Sequence, residues 1–164
     1  MSGTTLGAEL PAFSTREPIA VFRSDGVDEG WILKQDGRIS DALNDADRLK
    51  FERQRPDGFT DKLEVYLDDV IAVAPAPRPP SPARVTRRRH PVLFDAGPYT
   101  VKGTAHLPVG ADPRRYVAST GRRWLPLTEC TVSGAGGDWA VEVVIVNLEF
   151  ASRREISHAA PNFG

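Results

Sequence analysis

The chain has 164 residues with 21 Lys and Arg against 22 Asp and Glu, and apolar residues make up 40% of it. This composition supports a packed core, and no run approaches the roughly 20 apolar residues of a membrane-spanning helix. A single cysteine, Cys130, excludes an intramolecular disulfide and a multi-cysteine metal site. The first residues lack the basic start and apolar run of a secretory signal, so we expect a cytoplasmic protein with no membrane partner.

Proline and charge divide the chain into three parts. Residues 75–91 hold six of the 14 prolines and five arginines without any acid, which is typical of an extended spacer that joins no helix or central strand. The net charge is −6 before this segment, +5 within it and 0 after it. We expect an N-terminal tail over 1–17, a first β-rich unit over 18–74, a linker over 75–91, a second unit over 92–156 and a C-terminal tail over 157–164.

The first unit is predicted to contain short strands around one short helix. Alternating apolar residues predict strands over 19–22 and 29–33. Ser40 is a good N-cap, so we expect a helix to begin there. A third strand over 49–52 follows, and then a β-rich run over 63–73 that is broken by a turn at Asp68 and Asp69.

The second unit is predicted to repeat this order of elements. Strands are expected over 92–94 and 101–105, and Asp112 caps a helix whose first position is Pro113. A strand over 124–127 follows, and then a β-rich run over 141–150 that is broken at Asn147.

Matched landmarks in the two units favour a tandem duplication. Gly30 matches Gly103 at a spacing of 73 residues, and Asp69 matches Asn147 at a spacing of 78, an increase that the longer glycine turn of the second unit can absorb. The alternative is one irregular α+β domain with a proline-rich loop, although so long a structureless loop is uncommon in a compact domain. We therefore expect a mainly β (α+β) protein of two barrel-like units, each with one short helix. The apolar run over 139–146 suits a strand that is buried on both faces and joins two units or two subunits.

The residue types that carry catalysis are not grouped in a recognisable pattern. Cys130 and His106 fall on predicted neighbouring strands, but a buried thiol and a surface histidine explain them more simply. Three aspartates over 41–47 lack the glycine and closing glutamate of a calcium loop, and no zinc-type spacing occurs. The glycines over 134–137 lead into a strand and form no phosphate loop. We therefore predict no enzyme, no cofactor and no metal.

The basic segment is the one part of the sequence that suggests a ligand. Arg84, Arg87, Arg88 and Arg89 are suited to neutralise phosphates of a nucleic acid. No aromatic residues for base stacking are interleaved with them, and the simpler explanation is a solvated linker, or one that lies across the acidic first half and neutralises it.

Each half resembles a small bacterial family of β-rich domains of unknown function. The matching residues of the first half are Gly30, the helix start Ile39–Asn44, Phe51 and Asp69. Those of the second half are Gly103, the degenerate 113–118, the strand 125–127 and Asn147. The second half lacks the Ser-Asp…Asn pattern of the helix start. The order of strands is also similar to that of Sm-like barrels, a resemblance that implies fold and not function.

These observations predict a non-catalytic adaptor or self-assembling module that binds a protein partner or a second copy of itself. Large aromatic residues often anchor interfaces, so the interface candidates are Trp31, Tyr66, Trp124 and Trp139. A nucleic-acid-binding module is the first alternative. The second is a small-molecule sensor with a polar site between the two units, lined by His106, Glu129 and Cys130.

Overall fold

The computed structural model describes residues 16–33, 38–77, 87–119, 123–134 and 136–156. The first half of this part contains β1 (Arg16–Arg23), β2 (Gly26–Leu33), α1 (Ile39–Asn44), β3 (Arg48–Gln54), β4 (Thr60–Tyr66), the 3-10 turn η1 (Leu67–Asp69) and β5 (Val70–Pro75). The second half contains β6 (Arg87–Ala96), β7 (Tyr99–Pro108), α2 (Pro113–Ser119), β8 (Trp124–Gly134), β9 (Gly137–Asn147), the 3-10 turn η2 (Leu148–Phe150) and β10 (Ala151–Ile156).

The strands form one antiparallel sheet in the order β10-β6-β7-β8-β9-β5-β1-β2-β3-β4. The prediction of a mainly β protein with short helices is therefore confirmed. Within each half the fifth strand lies beside the first, and the first four follow in sequence order. The two halves meet where β5 pairs with β9, at Ala72↔Val146 and Val73↔Ile145. The predicted joining role of the strand over 139–146 is thus confirmed at its C-terminal end.

The strand β5 is buried on both of its faces and contributes to two hydrophobic cores. Val70 and Val73 pack in the first core, with residues of β1, β3 and α1. Ile71, Ala72 and Ala74 pack in the second core, which is built mostly from the second half. A strand buried on both faces is a near-continuous apolar run, and β5 is the strand of this kind. In β9 only residues 144–147 are buried, so the expectation that its whole apolar run is buried is wrong.

A glycine occupies the same place in the second strand of each half because the neighbouring strand approaches closely. A methyl group on Gly30 in β2 would overlap the carbonyl oxygen of Glu52 in β3. A methyl group on Gly103 in β7 would lie 2.9 Å from the Cys130 sulfur in β8. Since real Cβ atoms do not approach so closely, alanine at either position requires neighbouring atoms to shift.

The two predicted helix starts have different outcomes. The helix α2 begins at Pro113, and the backbone N–H of Arg114 donates to Asp112 Oδ1 at 3.1 Å, so that cap is confirmed. The prediction that Ser40 caps α1 is wrong, because the N-cap is Arg38 and has no side-chain hydrogen bond. Ser40 is buried in the first turn instead, and its carbonyl accepts a hydrogen bond from Asn44 Nδ2 at 2.8 Å.

The predicted linker is shorter at both ends than its composition suggests. Pro75 is the last residue of β5, and residues 87–91 belong to β6, where each pairs with a residue of β7. Pro91 is tolerated in β6 because the neighbouring strand β10 reaches only as far as Val92, so Pro91 faces no strand on that side in the described part of the chain. Residues 78–86 of the predicted linker, and residues 1–15 and 157–164 of the predicted tails, lie outside the described residues.

Candidate interaction surfaces

The junction between the halves contains a fully buried asparagine, Asn147, at the end of β9. Its Nδ2 donates to the carbonyl of Val70 at 2.9 Å and to that of Leu67 at 3.4 Å, both in the first half. Its Oδ1 accepts from the backbone N–H of Glu149 at 3.1 Å and from Arg123 Nε at 3.3 Å. Because a buried amide is stabilising only when its partners are present, Asn147 fixes the position of the η1 turn against β9.

A second asparagine, Asn44, joins the end of α1 to the start of β8. Its Oδ1 accepts hydrogen bonds from the backbone N–H groups of Arg123 at 3.0 Å and Trp124 at 3.2 Å. The Arg123 guanidinium pairs in turn with Asp68 of the first half at 2.7 Å. The contact between the halves is therefore polar and directional as well as apolar.

Two of the four predicted interface aromatics lie at this junction within the chain. Trp124 is completely buried and packs in the first core although it belongs to the second half. Trp139 packs edge-to-face on Phe22 of β1, with ring centres 5.4 Å apart, and also contacts Tyr99. The Tyr99 hydroxyl donates to the carbonyl of Arg23 at 2.6 Å, and burial raises the pKa of Tyr99.

The other two predicted aromatics lie away from the Asn147 contacts. Tyr66 at the end of β4 is 57% exposed, with the Arg48 guanidinium 4.9 Å from its ring centre. Tyr66 also bears on how the two halves align, because it directly precedes η1 and Asn147 directly precedes η2. The equivalence predicted between Asp69 and Asn147 is therefore wrong by three positions. Trp31 is half-buried in β2, with the Arg16 guanidinium 5.1 Å from its ring centre.

Trp31 lines a groove of about 720 Å³ that runs along the junction of the halves. We call it the junction groove. Its lining comes from β1 and β2 on one side of β5, from residues 74–77 at the end of β5, and from residues 141 and 142 of β9 on the other side. The lining carries two carboxylates, Glu29 and Glu142, and no basic side chain among the described residues. Its residues are Pro18, Ile19, Ala20, Glu29, Gly30, Trp31, Gln54, Ala74, Pro75, Ala76, Pro77, Val141 and Glu142.

The junction groove opens where two prolines stop the pairing of β5 with β9. If the register of Val73↔Ile145 continued along β5, Pro75 and Pro77 would lie opposite residues of β9. Proline has no N–H to donate, and the ladder between these strands ends at Val73. As a result the edge of β9 over residues 137–144 has no strand paired on this side in the described part of the chain.

The second half has an equivalent groove of about 450 Å³ with different chemistry. In the alignment that matches Gly30 with Gly103, Pro91 takes the place of Pro18. The same alignment puts Lys102 in the place of Glu29 and Thr104 in the place of Trp31. The aromatic ring of the junction groove is thus replaced by a threonine, and one of its acids by a lysine. The lining residues are Pro91, Val92, Leu93, Lys102, Gly103, Thr104, Glu129, Thr131 and Glu155.

His106, Cys130 and Glu129 lie on β7 and β8 and do not line the junction groove. His106 Nε2 is 2.6 Å from the Thr128 hydroxyl, and burial lowers the pKa of His106. Burial raises the pKa of the Cys130 thiol to about 11. Glu129 has a left-handed backbone (φ 53°) and points to solvent, where it pairs with Arg89. The thiol is thus a buried neutral group, and the described geometry gives it no base.

The predicted basic cluster is only partly described. Arg84 lies outside the described residues. Arg87, Arg88 and Arg89 are exposed at the start of β6 and belong to the sheet. Arg87 Nη1 donates to the carbonyl of His106 at 3.2 Å.

The outer edges of the sheet are β4 and β10, each paired on one side only in the described part of the chain. Asp61, Lys62 and Glu64 give β4 a net charge of −1. Arg153, Arg154 and Glu155 give β10 a net charge of +1. Charged edge strands resist indiscriminate pairing, and the sequences of these two strands carry net charges of opposite sign.

Comparisons with protein-family models, with curated proteins and with solved structures found no match to this chain. Among the described residues no group of three or more His, Cys, Asp or Glu side chains is arranged to hold a metal. No helix in the described ranges is long and apolar enough to span a membrane. The predicted family resemblance therefore stays a prediction, and the candidate surfaces are the junction groove and the two outer edges.

Proposed function

We propose that the chain consists of two copies of one β-rich unit and acts as a non-catalytic interaction module that self-associates through its outer sheet edges. The observation that carries this proposal is the pairing of β5 with β9. It joins the fifth strand of one half to the fourth strand of the other. The counterparts of these two strands are the fourth strand of the first half, β4, and the fifth strand of the second half, β10. Both are outer strands of the sheet. The contact within the chain can therefore be repeated between chains, head to tail.

The equivalence of the halves predicts the register of this contact. The turn η1 lies between β4 and β5, and the turn η2 lies between β9 and β10. Aligning the two turns matches Leu67 with Leu148. Ala72↔Val146 then corresponds to Arg153↔Val65 between two chains, and Val73↔Ile145 corresponds to Arg154↔Glu64. The predicted register places opposite charges directly across from each other, which stabilises a strand pair.

Such a contact is weaker than the junction inside the chain. Val73 and Ile145 are buried at the junction, whereas Glu64 in β4 is exposed and already pairs with Arg48 at 2.6 Å. That ion pair lowers the pKa of Glu64, so the carboxylate stays ionised at neutral pH. Exposed charges are screened by salt, and self-association is therefore expected to be strongest at low ionic strength.

Disulfide trapping tests the predicted register. Glu64→Cys and Arg154→Cys are made separately in a Cys130→Ala background, and the two proteins are mixed under mild oxidation. Paired residues of antiparallel strands lie within disulfide distance. We expect the mixture to form a covalent dimer faster than either variant alone.

The matched control is Lys62→Cys, two residues before Glu64 on the same strand and the same face. It should trap Arg154→Cys more slowly than Glu64→Cys does, because its place in the register is shifted. Equal rates for the mixture, the single variants and the control would show random collision and overturn the head-to-tail contact.

A further inference from the structure

The junction groove has the features of a site for an extended peptide. On the N-terminal side of Ile145, the edge of β9 that faces the groove is not paired with any described strand. Across the end of β5, the lining at Pro18, Gly30 and Trp31 is mostly apolar. An exposed strand edge beside an apolar wall is the arrangement that receives a peptide by strand addition, with main-chain hydrogen bonds for affinity and side-chain pockets for specificity.

The charges of the groove indicate which peptide it accepts. Glu29 and Glu142 are exposed, and their strands lie on opposite sides of β5. The Arg16 guanidinium, which lies over the Trp31 ring, is held by an ion pair with Glu52. A cationic segment is therefore favoured, and an acidic one is repelled.

We propose that the junction groove binds an extended, positively charged segment of a partner protein, which adds as a strand to β9 at residues 141–143. Lysine or arginine side chains on one face of the segment meet Glu29, Glu142 and Trp31, since Glu29 and Trp31 are alternate residues of β2 and share one face of the sheet. This site is separate from the outer edges β4 and β10, so it does not depend on self-association.

The equivalent groove of the second half provides an internal comparison. Lys102 and Thr104 replace Glu29 and Trp31 there, and no described residue of β9 forms a wall. The same backbone scaffold thus has a lysine in place of Glu29, no aromatic ring and no edge of β9, although Glu129 and Glu155 also line it. The cationic segment is expected to bind the junction groove and not its equivalent.

The test measures fluorescence anisotropy of a labelled short peptide of alternating valine and lysine, titrated with the 164-residue chain. We expect saturable binding of one peptide per chain. Trp31→Thr and Glu142→Lys should each weaken it about tenfold. Lys102→Ala, in the equivalent groove, should leave it unchanged. A valine–glutamate peptide that binds as well as the valine–lysine peptide would overturn the proposal.

Two further peptides separate strand addition from simple charge attraction. One is N-methylated at its odd positions and the other at its even positions, so each lacks the hydrogen-bond donors on one edge. Strand addition predicts that one of them loses binding and the other keeps it. Equal binding by both, or no binding by any peptide, would contradict the proposed site, while the disulfide trapping between β4 and β10 would be unaffected.

Discussion

The Cys130 thiol illustrates how burial decides the chemistry of a single residue. It lies on β8 facing Gly103, and its surroundings are the second core. Burial raises its pKa to about 11, and the carboxylate of Glu129 acts in the same direction. Reactive cysteines have a lowered pKa and access to solvent, so Cys130 has the character of a packing residue.

This pKa predicts a loss of stability at alkaline pH. A thiol in the unfolded chain releases its proton near 9.0, whereas the folded thiol holds it until about 11. The stability contributed by the neutral thiol is therefore fully present below pH 9 and is lost as the pH rises to about 11. Urea unfolding of the native protein and of Cys130→Ala at several pH values checks this.

The difference in unfolding free energy between these two proteins should shrink across that interval. The pKa of Tyr99 is also raised. Because Tyr99 is present in both proteins, its contribution cancels in the difference between their unfolding free energies. A difference that stays constant across the whole alkaline range would contradict the assigned role of burial.

Single residues can be predicted from the sequence where local geometry decides them. The paired glycines, Gly30 and Gly103, and the cap at Asp112 are visible as residue types at matched positions. Asn147 is visible as a polar break in a strand, but its partners Leu67 and Val70 lie far away in sequence, in the other half. No local pattern indicates which carbonyl groups a buried amide will meet.

At the scale of elements, the asparagine of β9 is the main polar link to β5. We expect the isosteric change Asn147→Asp to destabilise the fold by about 3 kcal/mol at neutral pH, because it places an oxygen where Nδ2 donated to two carbonyl groups. Chemical denaturation measures this loss.

Ser152→Ala is the control, since its hydroxyl donates to the carbonyl of Asp95 from an exposed position at 3.3 Å. Its loss should be about 0.5 kcal/mol or less. If Asn147→Asp is as mild as this control, the polar link between the strands does not contribute to stability.

The elements themselves are predictable in type and order, but less so in extent. Alternation and glycine turns indicate the hairpins, whereas residues 87–91 of β6 have the composition of a polyproline spacer and do not read as a strand. Pairing with β7 overrides that preference, as tertiary contacts commonly override strand propensity. The junction groove is also invisible in the sequence, since Pro75 and Pro77 create it only after β5 and β9 have met.

For the whole molecule, the sequence suggests two separate units on a basic spacer, and the structure has one continuous sheet. The difference arises at β5, whose apolar residues over 70–74 are divided between two cores. An apolar run indicates burial without indicating the partner. The contact between the halves is closed inside the chain, so the contacts that we propose with other chains are at the outer edges and the junction groove.

Sedimentation equilibrium of the 164-residue chain, over a range of concentrations and at low and high salt, tests the head-to-tail account most directly. We expect an average mass above the 17.9 kDa of one chain at low salt, falling as salt is added. Glu64→Lys and Arg154→Glu should each lower the mass, and the double variant should restore it because the charge pair is exchanged. A mass of 17.9 kDa under every condition, or single variants that behave as the native protein does, would contradict self-association through β4 and β10.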